Sequence, residues 1–196
     1  MAILGVVLCG GQSLRMGSDK GLLSHQDKLW AQLAADKLAL LQLQVIFSVN
    51  TAQQETYANY FGEAHLVSDH TSIDVRGPLL GVLSAHLLNP KQDLFVLACD
   101  LLLMENRLLE KILAAYHSAS SFDAYIFRRN GEQEPLCGIY TAKGLKSIWH
   151  LWQSHQLSKH SMKFVLSKLQ VCEIAVEDKD DRYFGNFNSH AEINGL

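Results

Sequence analysis

Residues 8–20, Leu8-Cys9-Gly10-Gly11-Gln12-Ser13-Leu14-Arg15-Met16-Gly17-Ser18-Asp19-Lys20, constrain this chain more than any other stretch. They follow an apolar run, Ala2 to Leu8, that reads as a buried β-strand. Where the strand ends, glycine and serine replace bulk, so successive backbone N–H groups can turn toward one point and form a concavity for an anion. Arg15 and Lys20 bring two cations to the same neighbourhood. Arginine grips a phosphate as a bidentate fork and lysine as a point charge, so the loop suits a polyphosphate. The P-loop ending Gly-Lys-Ser/Thr and the dinucleotide fingerprint G-x-G-x-x-G are both absent.

Beyond the loop, strand-like and helix-like stretches alternate. Lys28–Gln42 has apolar residues at helical spacing, Val45–Val49 reads as a strand ending at Asn50, and Gln53–Phe61 reads as a helix stopped by Gly62. Leu66-Val67 is a short strand ending at Asp69, Thr71–Arg76 is irregular, and Gly77-Pro78 precedes a helix over Leu79–Leu88. Leu94–Cys99 is the clearest buried strand, with Asp100 directly after it. Such alternation predicts an α/β fold, a parallel sheet covered on both faces. Ligands of these sheets bind beyond the carboxyl ends of the strands. The loop to Lys20, Asn50, Asp69 and Asp100 all fall at those ends, which predicts one shared site. In the second half, Leu108–Tyr116 reads as a helix, and Ala124–Phe127 and Leu136–Tyr140 as strands joined through an Asn130-Gly131 turn. Helices are expected over Lys143–Trp152 and Met162–Leu169, a strand over Cys172–Val176, and a short helix at the Ser189-x-x-Glu192 capping box.

A chain of 196 residues, 48% of them hydrophobic, is expected to form one domain over 1–196. The net charge of −3 offers no general attraction to nucleic acid, which is not expected as a partner. Gly10-Gly11 interrupt the N-terminal apolar run, and no stretch approaches the roughly 18 apolar residues that span a bilayer, so neither a secretion signal nor a membrane partner is expected. Cys9, Cys99, Cys137 and Cys172 lie in or beside apolar runs without C-x-x-C spacing, the pattern of reduced, buried thiols in a cytoplasmic protein. The histidines lack ligand spacing, and no Ser-His-Asp or Cys-His set is recognisable.

The order Gly-Gly-x-Ser-x-Arg-Met-Gly-x-Asp-Lys resembles the signature of the nucleotidyltransferases, specifically that of the molybdenum cofactor guanylyltransferases. Arg76-Gly77-Pro78-Leu79-Leu80-Gly81, Cys99-Asp100, Glu134-Pro135-Leu136-Cys137 and Phe187-Asn188-Ser189-His190-Ala191-Glu192-Ile193 resemble further segments of that family. The resemblance implies a Rossmann-like, three-layer α/β/α nucleotidyltransferase fold with a mostly parallel sheet. It also implies transfer of GMP from GTP to molybdopterin with release of pyrophosphate, Mg²⁺ as cofactor, and protein partners that deliver the pterin or receive the product. By the same correspondence Leu8, Cys9, Gly10, Gly11, Ser13, Lys20, Asn50, Asp69, Gly81 and Asp100 would bind the nucleotide. Arg15, Lys20 and Asp100 would be catalytic, and Asp100 and Asn188 would hold the metal.

Each of these residues also has a plainer role open to it. Asp100 would cap the next helix, and Asn50, Asp69 and Asn188 would close turns. Gly10 stands where relatives that attach cytidine carry alanine, and a Cβ there would intrude on a purine edge. Leu102 and Glu105 occupy places where the family usually has prolines. Arg128 and Arg129 would either bind the pterin phosphate or deter edge pairing of a hairpin. Trp149 and Trp152 are expected in the core. Two other functions fit the same residues: a transferase for another nucleotide or acceptor (CMP to molybdopterin, or a sugar phosphate), and a GTP-binding regulatory protein without catalysis.

Overall fold

The computed structural model describes residues 2–10, 19–119 and 121–185. Strand β1 (Ile3–Leu8) sends Leu4, Val6 and Leu8 into one apolar cluster and Val7 into another. A strand buried on both faces must be apolar throughout, hence its unbroken run. A small ribbon follows, β2 (Ser24–His25) and β3 (Lys28–Leu29), turning through Gln26 and Asp27, both left-handed. It leads directly into α1 (Trp30–Leu40). The helix expected from Lys28 therefore starts at Trp30, because Lys28 and Leu29 are paired with His25 and Ser24.

The chain continues through β4 (Gln44–Val49), α2 (Gln54–Phe61), β5 (Leu66–Ser68), α3 (Pro78–Leu88), β6 (Asp93–Ala98) and α4 (Asn106–Ser118). Then come β7 (Ala124–Arg129), β8 (Glu132–Tyr140), α5 (Ala142–Gln153), α6 (Met162–Leu166), β9 (Val171–Ala175) and a 3-10 segment, Asp178–Phe184. The main sheet has seven strands in the order β5-β4-β1-β6-β8-β7-β9. Only β8 runs against the others, so the sheet is mostly parallel as expected. Helices α1, α2 and α4 cover one face, and α3, α5 and α6 the other.

The hairpin at Asn130-Gly131 has positive φ at both residues, 49° and 81°, as a tight primed turn requires. Its second strand is longer than the apolar pattern suggests. Between the pairs Ile126↔Gly138 and Phe127↔Glu134, residues Pro135, Leu136 and Cys137 oppose nothing on β7. Proline has no N–H for a ladder and belongs at such a bulge. Cys137 pairs instead with Leu97, which sets the bulge beside the carboxyl end of β6.

The helix expected to Leu169 stops at Leu166, because Lys168 and Leu169 bond three residues back, to Val165 and Leu166, and tighten the last turn. Trp149 and Trp152 stack at 4.6 Å and are half-buried on α5, packed against the α3-side cluster at the margin of the core. All four cysteines are free, Cys9, Cys99 and Cys137 buried and Cys172 half-buried. Among the described residues no helix is long and apolar enough to cross a membrane. The Ser189–Glu192 capping box lies outside the described residues.

Asp93, at the start of the central strand β6, is 2% exposed. Its carboxylate accepts from Ala142 N at 2.7 Å and Tyr116 OH at 2.6 Å, joining the ends of α5 and α4. Beside this bond the Tyr116 phenol is raised above its ordinary range, chiefly by burial and then by Asp93, and remains a donor. Asp93→Ala leaves two donors without an acceptor and is expected to cost about 1–3 kcal/mol. In thermal melts that is a fall of about 2–4 °C per kcal/mol. Asp93→Asn keeps an oxygen for Ala142 and should show the smaller fall.

Candidate active site

Parallel pairing of β5, β4, β1 and β6 puts their carboxyl ends side by side, so Asp69, Asn50, Gly10 and Asp100 share one edge of the sheet. A cleft of about 710 Å³ opens there between β1, β4 and the N-terminal half of α3. Leu8, Gly10, Asn50, Asp69 and Gly81 line it, together with Ser48 and Arg76, to which the sequence pattern assigns no role.

Gly81 is buried on α3 directly over β4. A Cβ there would fall onto Ser48 Oγ, inside any real contact distance. Glycine thus leaves room for the present Ser48 rotamer where α3 lies on β4 and forms the cleft wall. Gly10, in contrast, is exposed at the cleft, and among the described residues the atom nearest to a Cβ there is Asn50 N at 3.7 Å. Among the described residues a methyl at Gly10 would meet only ordinary contacts.

Asn50 and Gln53 bond reciprocally across the turn that leads into α2. Gln53 N donates to Asn50 Oδ1 at 3.0 Å, and Asn50 N donates to Gln53 Oε1 at 2.9 Å. The same Gln53 amide reaches further: Nε2 donates to Cys9 O at 3.1 Å and to Asp19 Oδ2 at 2.6 Å. Asp19 Oδ1 accepts from Gly21 N and from Tyr57 OH, both at 3.0 Å. Burial, with Cys9 and Asp19 as neighbours, holds the fully buried Tyr57 phenol far above its ordinary range, so it stays a donor. One glutamine side chain therefore ties the backbone entering the glycine loop to the residue leaving it. Asn50-x-x-Gln53 has capping-box spacing, a signal legible in the sequence; the contacts of Gln53 and Tyr57 with Asp19 have no local signal.

Asp19 also caps the 3-10 turn Lys20–Leu22, and from this turn Lys20 Nζ donates to Asp100 Oδ2 at 3.1 Å. Both side chains are 21% exposed. Asp100 caps no helix: α4 begins at Asn106, preceded by Glu105. Asp69 is half-buried, and burial holds its carboxyl above the usual carboxylate range. Cys9 is a backbone participant only, since its buried thiol, raised by burial, packs on the face opposite Leu8. Gly11, Ser13, Arg15 and Asn188 lie outside the described residues. Arg128 pairs with Glu173 at 2.9 Å, and Arg129 with Glu134 at 2.7 Å and Asp181 at 3.3 Å. Carboxylates already meet both guanidinium groups.

Comparison with known proteins matches residues 5–171 to the model of the MobA-like NTP transferase domain. A probable molybdenum cofactor guanylyltransferase of Flavobacterium johnsoniae is 28% identical over 191 residues, 97% of this chain and 94% of that protein. A molybdenum cofactor guanylyltransferase of Pseudomonas entomophila is 30% identical over 188 residues, 94% of this chain and 92% of that protein. The crystal structure of molybdopterin-guanine dinucleotide biosynthesis protein A from Archaeoglobus fulgidus superposes with a TM-score of 0.76 at 20% identity, covering 100% of this chain and 96% of that one. This last likeness is one of fold.

Gly81→Ala must turn the buried Ser48 Oγ aside or shift α3, and is expected to lower stability by about 1–3 kcal/mol and weaken nucleotide binding. In a Ser48→Ala background the nearest remaining atoms are Leu8 Cδ2 at 3.4 Å and the residue 48 Cβ at 3.5 Å. The double variant should recover most of the loss in melts and in calorimetric titration. A double variant no better than Gly81→Ala would transfer the requirement for glycine from helix packing to the ligand.

Proposed function

The chain belongs to the MobA-like NTP transferase family, and we propose on that premise that it transfers GMP from GTP to molybdopterin, forming molybdopterin guanine dinucleotide and pyrophosphate. The observation that carries the reading is a nucleotide-sized cleft and a lysine–carboxylate pair on one sheet edge. Relatives similar over nearly their whole length bear the guanylyltransferase name. The activity is assigned to one domain, 1–196, in the cytoplasm, with protein partners that deliver the pterin or take the product.

In this reading Asn50 and Asp69 hold the base and ribose. The Asp69 carboxylate can accept from donors of guanine or from a ribose hydroxyl. Leu8, Cys9 and Gly10 pass the backbone beside the nucleotide, and Gly10 leaves room for a purine. Gly11 and Ser13 supply backbone amides to the phosphates, while Arg15 and Lys20 counter the charge that grows on the α-phosphate and the leaving pyrophosphate. The terminal phosphate of the pterin attacks the α-phosphorus. It is already ionised at neutral pH, so no side chain has to remove a proton, and rate comes from positioning and charge stabilisation.

The donor set bears on Mg²⁺. Among the described residues no group of three or more His, Cys, Asp or Glu could hold a metal; at the end of β6 the edge presents the carboxylate of Asp100 beside Lys20. That suits Mg²⁺, which binds through one or two carboxylates with waters and substrate phosphates completing its shell. Asp100 and Asn188 would hold it, and when bound it neutralises phosphate charge.

The direct test mixes purified protein, Mg²⁺, GTP and molybdopterin and follows pyrophosphate and the dinucleotide. Product from CTP instead, transfer to a sugar phosphate, or tight GTP binding without pyrophosphate release would each overturn the assignment. Asp100→Asn should lower turnover about a thousandfold, since about 4 kcal/mol of transition-state stabilisation corresponds to that factor. Its melting temperature should stay close to the parent's, because Asp100 caps no helix and a partly exposed ion pair is worth only about 0–1 kcal/mol. An Asp100→Asn enzyme within tenfold of the parent would remove Asp100 from the mechanism.

A further inference from the structure

Between Asp100 and α4 the main chain runs through residues 101–105 without regular structure and without proline, and Glu105 makes no side-chain cap. One residue from another element grips this stretch twice. Lys37, in the last turn of α1, donates from Nζ to Leu102 O at 2.5 Å and Leu101 O at 3.4 Å. Its own carbonyl accepts from Asn106 Nδ2 at 2.8 Å, at the first residue of α4.

Among the described residues no carboxylate pairs with the Lys37 ammonium. The titratable group that faces it is Cys137 on β8, kept neutral because burial pushes its thiol up. Burial draws the Lys37 pKa down to about 8. A cation taken from water without a counter-charge is costly. The carbonyl bonds and the negative end of the α1 dipole offset part of that cost. Packing alone does not call for the arrangement, because Leu101 and Met104 are already buried and Leu102 packs beside Trp30. What the ammonium adds is a fixed path for the two peptide units that follow Asp100.

We infer that Lys37 is a positioning residue for Asp100, holding the backbone after that carboxylate so that Asp100 meets Lys20 and the reacting phosphates at a set reach. The inference rests on the role given to Asp100 above. Lys37→Met fills similar space without donors. In this variant, amide exchange across Leu101–Met104 should accelerate at least about tenfold through local opening. Turnover should fall about tenfold or more with KM for GTP within about twofold of the parent, since an interaction that orients the reacting group is lost rather than ground-state binding. Unchanged exchange, or turnover and GTP affinity falling together with global stability, would overturn the assignment. Should Lys37→Met fail to fold, Lys37→Gln keeps one donor and must show the same split at smaller amplitude; its absence is equally fatal. The exchange arm needs no substrate, so its failure is distinct from failure of the GMP-transfer reading, which the parent protein tests first.

Discussion

The Asp19 carboxylate is the point on which the site's geometry depends. It stands at the exit of the glycine loop, and three donors from three places converge on it: Gly21 N, Gln53 Nε2 and Tyr57 OH. A carboxylate that accepts several hydrogen bonds at once is held in one rotamer and one position. Two consequences follow. The 3-10 turn carrying Lys20 is capped, so the lysine leaves the backbone in a fixed direction. The Cys9 carbonyl, at the loop's entrance, is drawn to the same glutamine amide. The loop's two ends are thus tied together by one side chain at the N-cap of α2.

Around that anchor, the working edge is assembled by residues that reach across elements. Ser48 and Gly81 meet where α3 lies on β4, at the wall of the cleft. Lys20 crosses to Asp100 and brings the end of β6 toward the turn after the glycine loop. Lys37 crosses from α1 to the main chain following Asp100. Each contact joins segments far apart in the chain, and those of Lys20 and Lys37 constrain groups proposed to meet phosphate. Catalysis that relies on positioning and charge, without a proton shuttle, needs this kind of rigidity in its supports more than any unusual reactivity in its side chains.

Much of the architecture was legible from residue types. Strands β1 and β6 announce themselves because both faces are covered, so each must be apolar along its length. Asn130-Gly131 announces its turn because two positive φ values are cheap only for such residues. The β2–β3 ribbon was not legible, since two-residue strands are too short to show a period. Nor was the β8 bulge: Pro135 hints at it, but its position depends on Cys137 finding Leu97 across the sheet.

The site divides the same way. Gly10, Asn50, Asp69 and Asp100 follow apolar strands, and strand direction alone brings such positions to one edge, so their sharing that edge follows from order along the chain. Local pattern is blind to what a side chain meets across that edge. It could not tell that Gly81 lies against Ser48, that Asp100 meets Lys20 and caps nothing, or that Arg128 and Arg129 already face Glu173, Glu134 and Asp181. Which residues are available for chemistry was therefore decided by the tertiary structure. Hydrogen bonds and ion pairs act over about 3 Å in space, a distance that separation in sequence does not measure.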